Sequence, residues 1–372
     1  MALDRILLSR FRNHRETLIE GTRRFNLLVG ENGAGKTNVL EAISLLAPGR
    51  GLRRAALADL PAQNGDRGFA VNAALAMPDG EPVRIGTGIL PDRPGRRLVQ
   101  VNGAEAPAVR LSEWLSIGWL TPAMDRLFVD SAGGRRRFLD RLVLALLPRH
   151  AGNAARLEGA LRERNRLLSL DTRPDPTWLD AIEAQIAEAG AEVAGARGAL
   201  IARLGAALEM QPEAPFARPR LTYRPGGPVL PDELAAALRE GRPRDLAAGR
   251  TLTGPHRDEI EVVMAGKNQP AAECSTGEQK AMLIATILAH SGMLERAEHM
   301  AGNAGGQPRA RVLLLDEVAA HLDPVRREAL FSRLREGRGQ VWLTGTEPAP
   351  FAAILAEAAV WHVREGTLKR ME

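Results

Sequence analysis

Four residues in this chain, Lys36, Thr37, Asp316 and Glu317, are of the types and at the spacing to do chemistry together. Lys36 and Thr37 close the run Gly30-Glu31-Asn32-Gly33-Ala34-Gly35-Lys36-Thr37, a full G-x-x-x-x-G-K-T phosphate loop, and Asn38 follows it. In such a loop small residues let consecutive backbone N–H groups point inward, at the start of a helix whose dipole also favours anions. Lys36 would neutralise the β- and γ-phosphates of ATP, and the Thr37 hydroxyl would ligate Mg²⁺. Asp316 and Glu317 end the apolar run Val312-Leu313-Leu314-Leu315. A buried strand there puts Asp316 in the magnesium shell and Glu317 where a general base can polarise the attacking water.

A third segment, Ser275-Thr276-Gly277-Glu278-Gln279-Lys280, precedes the strongly apolar stretch Ala281–Ala289. Ser275 or Thr276 suits a helix N-cap, and the segment offers a hydroxyl, a glycine N–H and a helix dipole to an anion. Phosphate loop, signature segment and acidic strand stand in the order found in ATPases of the ABC type. There one subunit's signature contacts the γ-phosphate held by the other, and a two-fold dimer traps two ATP molecules.

These groups need a parallel core to position them. Phe25–Val29 is strand-like and feeds the phosphate loop, and Val39, Leu40, Ile43 and Leu46 give a helix over 38–46 before Pro48-Gly49. Arg5–Leu8 reads as an earlier strand. Three short runs, Phe69–Ala76, Val83–Leu90 and Arg97–Asn102, with turns at Asp79-Gly80 and Asn102-Gly103, predict a small antiparallel sheet. From about Arg135 the pattern turns helical. Leu157, Leu161, Arg164 and Leu168 form one stripe, and after a turn at Arg173–Pro176 a longer stripe predicts a helix over Thr177–Leu208, together an antiparallel arm or else a helical subdomain packed flat on the core. A proline-rich stretch from Pro212 to Pro231 returns the chain. Strands resume at Val312–Leu315, Val341–Leu343 and Val360–Val363.

The 372 residues carry a formal charge of +5, which favours an acidic partner, but only four of the 50 basic residues are lysine: Lys36, Lys267, Lys280 and Lys369. Two of those four fall where a nucleotide site wants an ammonium group. The single cysteine, Cys274, excludes an internal disulfide and paired-cysteine zinc sites, and reads as a small buried residue. No apolar run reaches the ~18 residues of a membrane span, and the N-terminus lacks a signal-peptide pattern. A cytoplasmic protein with no membrane partner is expected. Aromatic residues are only 4%, which disfavours a base-stacking platform for single strands.

The chain resembles the RecF family, ABC-type DNA-repair ATPases of bacteria related to the SMC proteins. The resemblance rests on Gly30–Thr37, Phe11-Arg12-Asn13, Gly133–Asp140, Arg164-Asn165, Thr253–Asp258, Ser275–Lys280, Leu313–Asp323 and Thr344-Gly345-Thr346. It implies an α/β fold: an ABC-type P-loop ATPase head with an antiparallel β subdomain and an inserted α-helical arm. The corresponding segments are 1–134 and 251–372 for the head and 135–250 for the arm. It further implies weak, DNA-stimulated ATP hydrolysis with Mg²⁺, an ATP-dependent homodimer, and binding to double-stranded DNA near gaps. Its partners would be RecR and RecO in loading RecA, within the response to DNA damage.

By residue match the loop residues Gly30 to Asn38 bind ATP, and Lys36 and Glu317 are catalytic. Thr37 and Asp316 hold the metal, and Ser275, Gly277, Glu278, Gln279 and Lys280 reach the partner's γ-phosphate. Asp323 is the D-loop residue, or in the plainer reading a helix cap; Arg12 and Asn13 lie near the sugar or base, or Asn13 sits in a solvated turn. Arg135, Arg136, Arg137 and Arg141 are candidates for DNA phosphate contact, or equally a solvated helix face. Two departures argue against a transporter subunit. The segment Leu120-Thr121-Pro122-Ala123-Met124-Asp125 stands where transporters have a glutamine, and Thr344-Gly345-Thr346 replaces their switch histidine. A chromosome-organising SMC protein is the alternative in a structural class, but it needs far more heptad sequence.

Overall fold

The computed structural model describes residues 1–62, 67–77, 80–93, 95–170, 174–303, 309–319 and 322–371. In chain order the elements are β1 (Ala2–Phe11), β2 (His14–Ile19), β3 (Phe25–Val29), α1 (Lys36–Ser44), β4 (Phe69–Ala76), β5 (Val83–Ile89), β6 (Leu98–Val101), β7 (Ala104–Glu105) and β8 (Leu115–Leu120). Then come α2 (Ala132–Leu146), α3 (His150–Leu168), α4 (Pro176–Glu209), β9 (Pro219–Arg224), α5 (Pro231–Glu240), α6 (Arg242–Ala248), β10 (Glu259–Met264), β11 (Gln269–Pro270) and α7 (Thr276–Asn303). The chain closes with β12 (Ala310–Leu315), α8 (Pro324–Glu336), β13 (Gln340–Gly345), β14 (Ala358–Arg364) and β15 (Thr367–Met371).

The chain divides into two compact units, one of 1–124 with 291–372 and one of 125–290. Composition placed the changes near Arg135 and Thr251. In the structure 251–290 groups with the helical segment, because β10 pairs with β9 and packs on α2. The turn expected at Asp79-Gly80, the first residue of the turn expected at Arg173–Pro176, and residues 320–321 of the acidic-strand segment lie wholly or partly outside the described residues.

The first unit holds two six-stranded sheets. One, in the order β2-β1-β4-β5-β6-β7, is antiparallel throughout. The other, in the order β15-β14-β3-β13-β12-β8, is parallel except for its edge strand β15. Strands β3, β12 and β13 are buried almost throughout and mostly apolar, as a parallel sheet covered on both faces requires. Register does the positioning. Val29 pairs with Gly345 and Leu315 with Leu343, so the chain leaves β3, β12 and β13 at one edge of the sheet. That carboxyl edge is where open α/β sheets bind ligands.

The second unit is built on α4, 34 residues long, whose Asp175 caps it by accepting from the Thr177 N–H and whose first residue is proline. Its apolar stripe (Leu179, Ile182, Ile186, Val193, Leu200, Leu204) is buried. The arm is thicker than a two-helix hairpin, since α4 packs on α3, α5, α2 and β9. No helix among the described residues is long and apolar enough to cross a membrane.

Candidate nucleotide site

Strand β3 delivers the phosphate loop, and close backbone approach dictates its glycines. A Cβ on Gly30 would lie 2.2 Å from the Val363 carbonyl oxygen. Gly35, with φ +115°, is the N-cap of α1, and a Cβ there would meet the Asn13 side-chain amide at 2.7–2.8 Å. Glu31, Asn32 and Gly33 are exposed. Lys36 is buried; its Nζ donates to the loop's own carbonyls, Gly30 O at 2.6 Å and Glu31 O at 2.9 Å. Burial lowers its pKa, against the pull of Glu317 and Asp316.

The acidic pair sits across the same edge. The Thr37 hydroxyl donates to Asp316 Oδ1 at 3.0 Å, and the Thr344 hydroxyl donates to the same oxygen at 2.8 Å. The Glu317 N–H in turn donates to Thr344 Oγ1 at 2.8 Å. Burial pushes the Asp316 carboxyl up, and the two hydroxyls only partly offset this. Glu317 has φ +52°, a left-handed conformation that is uncommon and costly for a residue with a side chain. Lys36, Thr37, Asp316 and Glu317, more than 270 residues apart in sequence, are therefore brought together. Thr344 joins them. The Thr-Gly-Thr run was visible in the sequence, but its hydrogen bond to Asp316 was not.

The two-residue turn between β1 and β2 braces the loop from outside. Asn13 Nδ2 donates to Ala34 O at 3.0 Å and Asn13 Oδ1 accepts from Asn38 Nδ2 at 2.7 Å. The Gly366 N–H donates to Ala34 O at 3.0 Å. Arg12 grips buried Glu41 with two hydrogen bonds of 2.8–2.9 Å and donates to Asp59 O. Arg53 completes the group through Glu41 and Asn38.

The signature segment belongs to the second unit and forms a capping box. The Glu278 N–H donates to Ser275 Oγ at 3.3 Å, while Glu278 Oε2 accepts from the Ser275 N–H and hydroxyl, each at 2.9 Å. Lys267 pairs with Glu278, and this ion pair and the Ser275 donors hold the carboxyl down to about 2. Ser275, Thr276 and Gly277 are exposed. Gln279 and Lys280 are buried instead: Gln279 Nε2 donates to Cys274 O at 2.8 Å, and Lys280 Nζ lies 3.4 Å from Asp125 Oδ2. Cys274 is buried.

Asp323 is the N-cap of α8, accepting from the Arg326 N–H at 2.9 Å. Of the four candidate DNA-contact arginines, Arg135 is committed to Glu259 through two 2.7 Å hydrogen bonds, Arg136 donates to Asp258 O, and Arg141 stacks on Phe138. Arg137 is exposed.

The family model described as the RecF/RecN/SMC N terminal domain matches residues 2–367. A "DNA replication and repair protein RecF" of Mesorhizobium japonicum is 45% identical over 378 residues, covering 98% of this chain and 97% of the relative. The RecF of Agrobacterium fabrum is 46% identical over 379 residues, covering 98% of both. The chain belongs to the RecF family. A solved structure of the recombination mediator protein RecF in the RecFOR pathway, described as RecF-ATPrS, matches with a TM-score of 0.84 at 21% identity, covering 100% of this chain and 98% of that one. An Smc head domain from Pyrococcus furiosus gives 0.52 at 17%, covering 100% and 96%. At those identities the likeness is one of fold, and it is the RecF and SMC-head ATPase fold that the residues implied.

Proposed function

We propose that the protein is an ATP-driven switch on DNA, acting in replication and recombinational repair. The observation that carries the reading is the junction at Asp316, where hydroxyls from the phosphate loop (Thr37) and from the end of β13 (Thr344) meet one buried carboxylate oxygen. The relatives' name as DNA replication and repair proteins and the RecF-ATP description of a structural neighbour support it.

In this reading the N–H groups of residues 33–38 and Lys36 bind the triphosphate, with Lys36 exchanging two loop carbonyls for phosphate oxygens. Thr37 and Asp316 supply the hard oxygen donors that suit Mg²⁺ and would hold it, where it neutralises phosphate charge. Glu317 takes a proton from the attacking water, and Thr344 fixes the backbone that aims it. A second copy supplies Ser275 and Gly277 to cover the γ-phosphate, with Asp323 flanking the joint. The ATP-bound dimer clasps duplex DNA beside single-strand gaps through its backbone, hydrolyses ATP weakly with stimulation by DNA, and helps RecO and RecR load RecA in the cytoplasm.

The test uses Glu317→Gln protein with and without ATP, on its own and with gapped duplex. Hydrolysis should fall about 10²–10⁴-fold. The protein should become a dimer with ATP, and DNA affinity should rise with ATP and fall steeply with salt. A monomer at saturating ATP, or binding insensitive to salt, would sink the reading.

A further inference from the structure

Strands β10 and β11 pair antiparallel through a tight turn over 265–268, closed by the Asn268 N–H donating to Ala265 O, with Asn268 in the left-handed conformation at φ +49°. From β11 a single 3-10 turn, Ala271–Glu273, leads to Cys274 and the signature segment. The chain thus doubles back on itself, and Lys267, in the turn, pairs with Glu278 Oε1 on the first turn of α7. All of these residues belong to the second unit.

The two lysines beside the signature differ in what they can meet. The Lys280 side chain, inside the motif, is 8% exposed and faces Asp125, whereas that of Lys267, outside it, is 57% exposed. The ammonium that an incoming anion can sense is therefore that of Lys267. Ser275 has one hydroxyl proton, and Glu278 Oε2 holds it, while Ser275 Oγ accepts the Glu278 N–H. To donate to a phosphate oxygen, that hydroxyl must turn away from a carboxylate. The carboxylate left behind then stands one side chain from the arriving negative charge, and an unbalanced charge so near costs about tenfold in an equilibrium. Lys267 sits on the other carboxylate oxygen, so it offsets the charge without displacing Ser275 from Oε2.

We propose that Lys267 is a positioning residue for the covering half of the nucleotide site. By balancing Glu278 it lets the Ser275 hydroxyl exchange that carboxylate for a phosphate oxygen of a nucleotide held by a second copy. The inference rests on the two-copy pocket given under Proposed function and adds to it a cation from outside the signature.

The test is the dimer dissociation constant at saturating adenylyl imidodiphosphate with magnesium, measured by analytical ultracentrifugation. Lys267→Met should weaken the dimer about tenfold, while its melting temperature stays within about 2 °C of the parent because the pair is exposed. Lys267→Arg, which keeps the charge, should stay within about threefold. Adding Glu278→Gln to Lys267→Met should restore the dimer to within about threefold, since the amide oxygen still accepts from Ser275 and no charge is left to balance. No loss in Lys267→Met, or equal losses in the Met and Arg variants, would overturn the proposal. A double variant as weak as Lys267→Met would overturn it too, because the lysine would then not act through Glu278. A parent that stays monomeric with the analogue sinks the two-copy pocket and this proposal with it, whereas a parent and a Lys267→Met variant that dimerise equally sink this proposal alone.

Discussion

Two clusters of buried charge in this molecule are treated in opposite ways. In the helical unit Arg164 is wholly buried and all five of its N–H groups are used: Nε and one Nη2 donor go to Glu183, one Nη1 donor to Asp245, and the others to Thr251 Oγ1 and Leu238 O. Arg242 adds a second cation to Glu183. In the phosphate-loop pocket the same kind of desolvation is left half answered. Lys36 is turned back on backbone carbonyls, Asp316 is held by hydroxyls, and burial shifts each toward its neutral form. A satisfied network fixes a fold. A strained, under-neutralised pocket is what a fold keeps for a charged ligand.

The contrast can be broken by substitution. Lys36→Arg should lower ATP hydrolysis about a hundredfold while weakening ATP binding less than about tenfold, because a planar fork replaces a point charge where the loop closes tightly. Turnover and equilibrium titration measure the two separately; equal losses would mean that Lys36 serves binding alone. Arg164→Ala should leave nucleotide affinity within about twofold but cost about 3–5 kcal/mol of stability, since Glu183 and Asp245 then lose their shared cation. Denaturant unfolding measures this, and a loss below about 1 kcal/mol would show that the network does not carry the helical unit.

The smallest expected effect has the opposite sign. Asp316→Asn should raise the melting temperature of the nucleotide-free protein by about 2–4 °C at pH 7 while abolishing hydrolysis. The folded-state pKa of Asp316 lies above its ordinary 3.8, so the ionised form is disfavoured by folding and costs stability at neutral pH. The gain should therefore shrink as the pH falls through the raised value and vanish below about 3.8, where the carboxyl is protonated in both states. A destabilised Asp316→Asn protein at pH 7 would place Asp316 with the satisfied network instead.

Periodicity and glycine pattern made the parallel core readable. Phe25–Val29 was expected with the limits it has as β3, and the expected helix Thr177–Leu208 differs from α4 by a residue at each end. Strands that break the rules were missed. β9 opens on a proline, inside a stretch that read as a connector, and β2 buries only His14, Thr17 and Ile19 of six residues, a spacing matching neither strand nor helix. The site divides in the same way. Residues inside a contiguous motif were legible: Lys36, Thr37, Asp316 and Glu317. Their supports were not, because Thr344 reaches Asp316 over 28 positions and Arg12 reaches Glu41 over 29, and no local pattern encodes such a partner. Arg135 shows the converse error, in which a basic run suggested a surface while a long-range carboxylate, Glu259, had claimed its guanidinium.

Trp342 and Trp361 stack with centroids 5.8 Å apart and planes 11° from parallel, on the two strands that flank β3. Trp342 stands two residues before Thr344 on the same strand. Stacked indoles in a rigid, dry setting couple their transitions, so the chain carries a built-in chromophore pair on the strands bordering its phosphate loop. Any change that levers Thr344 off Asp316 will tilt one ring against the other, and circular dichroism in the near ultraviolet can follow that movement without a dye.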